Sequence, residues 1–280
     1  MANVFITGAS TGIGEATALH FDNLGHRVFA GVRNDADGER LVARASTRLM
    51  PVQCDVTDTD QIAAARKIIG DEVGGAGLQG LINNAGIAVG GPLEHLPLDQ
   101  WRWQFDVNVF GQIAVTQAFL DLVRQGKGRV SFTGSIAGRN ANAMLGPYAA
   151  SKHAIEAISQ SLRGELEPWG IHVSVVEPGA IKTPIWDKGR STADVLAEQL
   201  GPEAAEQYAH GIDFVRKGIE FQDKNAAPPE LVAKAFEHAL FSSRPRTQYL
   251  VGKDAKVLGT LNRVLPQSVV DRIVKKLGPS

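Results

Sequence analysis

The chain has 280 residues, 44% of them hydrophobic, enough to bury a sizeable core in one α/β unit. Lys and Arg number 29 against 30 Asp and Glu, a formal net charge of -1, so no whole-molecule field points to nucleic acid or to a strongly charged partner. The single cysteine, Cys54, excludes an internal disulfide, no Cys/His spacing suggests a metal site, and no run approaches the ~18 consecutive apolar residues of a membrane span. A cytoplasmic protein is the expectation.

The first apolar run, Val4–Thr7, predicts a strand. It ends on Thr7-Gly8-Ala9-Ser10-Thr11-Gly12-Ile13-Gly14, which opens a helix over Gly14–Asn23. Glycines there allow a tight turn and close approach of backbone to a pyrophosphate, and the helix start supplies free N–H groups and a positive dipole end. The spacing is G-x-x-x-G-x-G, not the common G-x-G-x-x-G. Its place between strand and helix nevertheless points to a dinucleotide, with Gly8, Ser10, Thr11, Gly12, Ile13 and Gly14 around the phosphates.

A second strand, Arg27–Gly31, runs into Val32-Arg33-Asn34. NAD-binding chains usually carry an acid here for the ribose hydroxyls. Val32 holds that place, and Arg33 can meet a 2′-phosphate with paired donors. NADP(H) is therefore favoured over NAD(H). A third strand, Met50–Cys54, contains Cys54 as a buried structural thiol and leads to Asp55 and Val56. Asp55 either accepts from an adenine amino group or serves as a turn or cap residue.

Beyond this point helices are predicted at Asp60–Ile69, Leu98–Val123, Tyr148–Glu167 and Pro229–Leu240, and strands at Leu78–Asn83, Arg129–Thr133, His172–Val176 and Gln248–Val251. The alternation implies βαβ units around a parallel sheet, read as one domain over residues 1–280, with a cofactor half over about 1–140. In such a sheet the ligand binds at the carboxyl ends of the strands. Two regions depart from the alternation. Residues 181–225 are polar and poorly periodic and read as a substrate lid. Residues 252–280 read as a tail of two amphipathic helices interrupted at Pro266. This tail carries Lys253, Lys256, Arg263, Arg272, Lys275 and Lys276 against Asp254 and Asp271. Packing on the domain or a partner subunit is favoured for its apolar stripe over a membrane surface.

The strongest chemical signal is Tyr148-Ala149-Ala150-Ser151-Lys152. It sets a phenol and an ammonium one turn apart on one helix face. A free phenol titrates near ~10, and a neighbouring ammonium lowers that value, so the pair can act as a general acid/base. Ser135 lies upstream. The stretch Ala141–Pro147 has few charges and, with Ala137, Met144 and Trp186, is expected to border a pocket for a hydrophobic alcohol or ketone.

Taken in order, Thr7 to Gly14, Asn83-Asn84-Ala85-Gly86, Asn108 in Asp106-Val107-Asn108-Val109, Ser135 in Gly134-Ser135-Ile136-Ala137-Gly138, Tyr148 with Lys152, and Pro178-Gly179 with Thr183 resemble the short-chain dehydrogenase/reductase family over nearly the whole chain. More loosely, Tyr148–Leu166, Val175–Gly179 and Val28–Gly31 are similar to the branch holding steroid 17-hydroxyl and retinol dehydrogenases. The resemblance implies a Rossmann-type doubly wound parallel sheet and hydride exchange between a nicotinamide and a carbinol or carbonyl carbon. Tyr148 would be the general acid/base. Lys152 would lower its pKa and hold the nicotinamide ribose, Ser135 would polarise the carbonyl, and Asn108 would orient a relay water. Asn84, Ala85, Gly86, Tyr148, Lys152, Pro178, Gly179, Ile181 and Thr183 would also contact the cofactor. A homodimer or homotetramer paired through Phe110–Val123 and Tyr148–Leu166 is likewise implied. A non-catalytic dinucleotide-binding regulator on the same fold is the rival reading, but such relatives typically lack the Tyr or the Lys. A nucleotide-sugar epimerase would carry G-x-x-G-x-x-G, which Gly8, Gly12 and Gly14 do not match.

Overall fold

The computed structural model describes residues 1–184 and 202–277. Seven parallel strands form one sheet in the order β3-β2-β1-β4-β5-β6-β7. They are β1 (Asn3–Ile6), β2 (Arg27–Val32), β3 (Leu49–Gln53), β4 (Gly80–Asn83), β5 (Arg129–Thr133), β6 (Val173–Pro178) and β7 (Gln248–Val251). The five central strands are buried along nearly their whole length because helices cover both faces, so their sequences read as continuous apolar runs, whereas the edge strands β3 and β7 are partly exposed.

The period of two along a strand divides the core. Phe5 of β1 enters one cluster with Phe29, Phe119, Phe132 and Ile155, under α3 (Thr59–Val73), α5 (Gln112–Gln125) and α6 (Gly146–Leu166). Val4 and Ile6 enter the other with Phe21 and Phe236, under α1 (Gly12–Asn23) and α8 (Glu230–Phe241). The strand order turns outward on both sides of the β1–β4 pair, which opens a crevice above their carboxyl ends.

The observed strands match the predicted ones to within two residues at each end. Helix α2 (Asp35–Val42) was not predicted. Its eight residues include Gly38, where a Cβ would lie 2.9 Å from Pro51, and tertiary packing outweighs weak local propensity. A capping signal was present in Asn34, whose side chain accepts from the Asp37 N–H. The single predicted helix Leu98–Val123 is in three pieces: α4 (Leu98–Phe105), one π-helical stretch over Asp106–Gly111, and α5.

The region read as a lid contains α7 (Ala209–Asn225). Its base is closed by a parallel bridge between Ile181 and Ala227, with Lys182 N donating to Ala227 O and Ala227 N to Ala180 O, each at 2.9 Å. The tail forms α9 (Lys253–Val264) and α10 (Gln267–Leu277), parted at Pro266 as predicted. It packs on its own domain: Ala255, Gly259 and Val270 are buried, and Asp254 accepts from the Ala180 N–H at 2.7 Å. Among the described residues no helix is long and apolar enough to cross a membrane.

The Phe5 and Phe119 rings meet at 4.6 Å between centroids beneath the centre of the sheet. Phe119→Ala is expected to cost about 3–5 kcal/mol through lost burial and the cavity left behind. Urea unfolding measures this, and a loss below about 1 kcal/mol would contradict the assigned core.

Candidate active site

A cleft of about 630 Å³ opens above the carboxyl ends of β1, β2, β4 and β5. Its phosphate end is the turn between β1 and α1. Gly8 and Gly12 adopt φ of +63° and +60°, and a Cβ on Gly8 would lie 2.7 Å from the Ala85 Cα, so backbone conformation and close approach both demand glycine. Gly14 likewise has no room for a side chain against the Gly8 carbonyl and the Asn84 amide. Thr11 caps α1 without a side-chain hydrogen bond, which leaves first-turn N–H groups facing the cleft. This is a fitting cradle for a pyrophosphate.

All the residues predicted for the cofactor line this cleft. They include Ser10, Thr11, Ile13, Val56, Asn84, Ala85, Gly86, Pro178, Gly179, Ile181 and Thr183. Arg33 lines it as an exposed side chain past the end of β2, and Val32 is buried where an acid would otherwise stand. Asp55 borders the cleft too, but its Oδ1 accepts from the N–H and hydroxyl of Thr57 at 2.9 and 2.7 Å, which makes it a turn residue. The cap of α3 is Asp58, not Asp55. Burial pushes the Cys54 thiol up to about 12, which rules it out as a nucleophile at neutral pH.

The chemical end is built by α6 and the end of β5. Pro147 stands at the start of α6, where a missing N–H costs nothing, and the helix then presents Tyr148 and Lys152 to the cleft. Ser135 follows β5 and caps one 3₁₀ turn, its Oγ accepting from the Ala137 N–H at 3.1 Å. Ser135, Tyr148 and Lys152 share the cleft wall with the glycine turn.

Electrostatics at this end differ from the sequence expectation. The Tyr148 phenol is raised, not lowered: burial disfavours the phenolate and the Ser135 hydroxyl offsets it only in part. The Lys152 Nζ lies 5.7 Å from the Tyr148 ring centroid and donates to the Thr133 carbonyl at 2.7 Å. Burial in turn lowers Lys152 to about 8, against support from Glu156.

Asn108 also differs. It is fully buried inside the π-helical stretch and lies off the cleft wall. Its Nδ2 donates to the Ile87 carbonyl at 3.0 Å and to Ser151 Oγ at 3.1 Å, and its Oδ1 accepts from the Ile87 N–H at 2.8 Å. With both amide hydrogens spent, the side chain clamps Ser151, between Tyr148 and Lys152, to the loop after β4. A π-turn often marks such a site, because the extra residue per turn re-aims a side chain.

Ala137 and Met144 are not on the cleft wall, which corrects their expected substrate role. Ala137 is buried and holds Ser135 through its N–H. Met144 sits at φ 67°, its carbonyl accepting from Gly91 N at 2.7 Å and its sulfur against Gly211 of α7. Trp186 falls outside the described residues. The apolar wall is instead Ile87, Ala88, Val89, Leu96 and Trp103, none of them anticipated. Their signal was positional: they follow the Asn83–Gly86 motif off the end of β4, where a doubly wound sheet places ligands.

The short chain dehydrogenase family matches residues 2–194, and the chain belongs to it. The protein is accordingly an NAD(P)-dependent oxidoreductase that interconverts an alcohol and a carbonyl. It is 39% identical to retinol dehydrogenase 5 of Homo sapiens over 98% of this chain and 87% of that one. It is 34% identical to the NADPH-dependent 3-dehydrocapnine reductase of Ornithobacterium rhinotracheale over 99% and 97%. The crystal structure of a short-chain dehydrogenase from Streptomyces avermitilis superposes with a TM-score of 0.77 at 26% identity, covering 99% of this chain and 98% of that chain.

The buried lysine has a consequence for stability. Its folded value of about 8 lies below the ordinary 10.5, so the unfolded chain binds the proton more tightly between those limits. Lys152 therefore opposes folding below pH 8, by about 3 kcal/mol at most, and this penalty fades as pH rises towards 10.5. Lys152→Met is expected to melt above the wild type at pH 7, with the gap narrowing by pH 10. A gap independent of pH in thermal unfolding would contradict this account.

Proposed function

We propose that this enzyme uses NADP(H) to interconvert a hydrophobic alcohol and its ketone or aldehyde, with Tyr148 as the general acid/base. The observation that carries the reading is one cleft joining a phosphate turn with required glycines at Gly8, Gly12 and Gly14 to Ser135, Tyr148 and Lys152. The nicotinamide, when bound, supplies or accepts the hydride.

The residues of the chain do the rest. In reduction, charge develops on the substrate oxygen as the carbonyl carbon gains its new bond. Tyr148, kept protonated by burial, holds the proton that this oxygen takes. Ser135 donates a hydrogen bond to the same oxygen, an interaction that strengthens as the charge grows. Lys152, anchored on the Thr133 carbonyl, provides positive charge beneath the tyrosine and donors for ribose hydroxyls. Asn108 acts through Ser151, fixing the turn of α6 that carries the pair. In oxidation the proton returns to Tyr148.

Arg33 at the cleft, with Val32 in place of an acid, supports NADP(H), as does the name of the NADPH-dependent relative. The wall of Ile87, Val89, Leu96 and Trp103 supports an apolar substrate, and the retinol dehydrogenase relatives make retinoid- or steroid-like alcohols the first class to try. The same reading has the enzyme in the cytoplasm, where the free thiol of Cys54 suits a reducing compartment. Subunits would pair through α5 and its π-helical lead, supported by Phe110 at 59% exposure.

Tyr148→Phe removes the proton donor and keeps the shape. It is expected to fold, to bind NADPH, and to lose at least about a thousandfold in turnover on a retinoid, steroid and medium-chain ketone panel. Retained turnover would refute the mechanism, and activity confined to small polar ketones would refute the substrate class. Arg33→Ala should raise the KM for NADPH about tenfold and leave that for NADH unchanged; equal effects on both would remove the 2′-phosphate assignment.

A further inference from the structure

Helix α6 continues the face that carries Tyr148 and Lys152 to Glu156, one turn further on. The Glu156 side chain is half-buried, with Oε1 turned inward. It lies under the turn that bears Ser135: a Cβ on Gly134 would lie 2.9 Å from its Oε1, and one on Gly138 would lie 3.3 Å from its Cγ. Oε1 is buried and has no hydrogen-bond partner, while Oε2 accepts from Gln248 Nε2 at 3.3 Å.

The charged neighbours come from every side. Lys152 is on the same helix, with Arg163 further along it. Glu177 of β6, fully buried, faces it with Arg139. Arg139 is already committed to Glu177 through its Nε and through Nη2 at 2.7 Å from Oε1, so it neutralises that carboxylate and has no hydrogen bond to Glu156. An orphaned, buried carboxyl oxygen is costly, and it persists here one helical turn from Lys152, a buried cation on the cleft wall.

We propose that Glu156 is a positioning residue for the reaction: the charge on its half-buried carboxyl determines whether Lys152 remains an ammonium. The inference rests on the reading of Tyr148 and Lys152 given above. A charged Glu156 holds the proton on Lys152 against burial; an uncharged one leaves Lys152 with only the Thr133 carbonyl. Burial and the nearby Glu177 lift Glu156 to about 7, while Lys152 titrates at about 8, so the two groups exchange control within the physiological range.

The test is the pH profile of kcat/KM for NADPH-dependent reduction. Glu156→Gln keeps the shape and removes the charge, so Lys152 should lose its proton earlier. The alkaline limb is expected to move down by about half a pH unit or more, roughly a threefold loss at a fixed pH on that limb. Glu156→Asp keeps the charge and should leave the limb nearer the wild-type position than Gln does. A uniform fall in kcat for both variants, with the limb unmoved, would assign Glu156 a packing role and overturn the proposal.

The wild-type enzyme supplies a second arm that needs no variant to fold. Carbon-13 NMR of labelled lysine, with the Lys152 signal taken as the one absent from Lys152→Met, should show two inflections, one at Glu156 near 7. A single-step curve overturns the proposal as well. Tyr148→Phe separates the two levels: if it is inactive and the Gln profile is unmoved, only this inference fails.

Discussion

The site depends on one side chain that ties three strand ends together. Asn84, just past β4, donates from Nδ2 to the carbonyls of Thr7 and Gly8 at 3.0 and 3.1 Å, and its Oδ1 accepts from the Thr133 hydroxyl at 3.1 Å. Thr7 Oγ1 accepts in return from the N–H groups of Asn84 and Ala85. Parallel strands end in backbone groups with no ladder partner, and a buried group left unpaired there is expensive. Asn84 settles this for the two carbonyls past β1, Thr7 Oγ1 does so for the N–H groups past β4, and the Thr133 hydroxyl ties in β5. It also fixes the distance between the two functions of the cleft, since Thr7 starts the phosphate turn and the carbonyl of Thr133 receives Lys152. A shift in this clasp would displace the phosphate cradle and the chemical end together.

The site is assembled against a gradient of stability. Lys152 and Glu156 are each held with their charged forms disfavoured, and Arg139 with Glu177 forms a largely buried ion pair beside them. Removing either partner of such a pair strands the other charge, whereas apolar replacement of both is often neutral or favourable. The cluster is thus explained poorly by stability and well by function: it holds groups whose protonation responds near neutral pH. The two apolar clusters on either face of the sheet supply the surplus that tolerates it.

Much of this was legible in the sequence because it is carried by local patterns. The strand runs are apolar because both faces are covered, the glycines of the turn are demanded by φ and by contact, and Tyr148 with Lys152 follows from helical spacing. What was not legible depends on contacts remote in sequence. The depressed phenol expected of Tyr148 gives way to a raised one because burial disfavours the phenolate, and the Lys152 ammonium donates to a carbonyl of β5. Asn108 reads as a helix residue and is in fact the centre of a π-turn, whose extra residue has no sequence signature. The stretch Ala141–Pro147 joins two site elements, yet the wall comes from the loop after β4, because Met144 is drawn away to Gly91 and Gly211.

The bridge between Ile181 and Ala227 separates two kinds of change in this chain. It joins the two ends of the intervening segment at the edge of the sheet, so the route the chain takes between them is decoupled from the register of β6 and from the placement of α8. Closing a loop whose ends are already pinned costs little more when it lengthens, about 0.6 kcal/mol for each doubling. Within these anchors, changes along α7 leave the register of β6 and the placement of α8 to the pinned ends. Thr183, just inside the first anchor, still borders the cofactor cleft, so the segment's contact with the cofactor is made at its pinned start. The proton-handling face of α6 and the helix α7 are thus carried on separate stretches of one polypeptide.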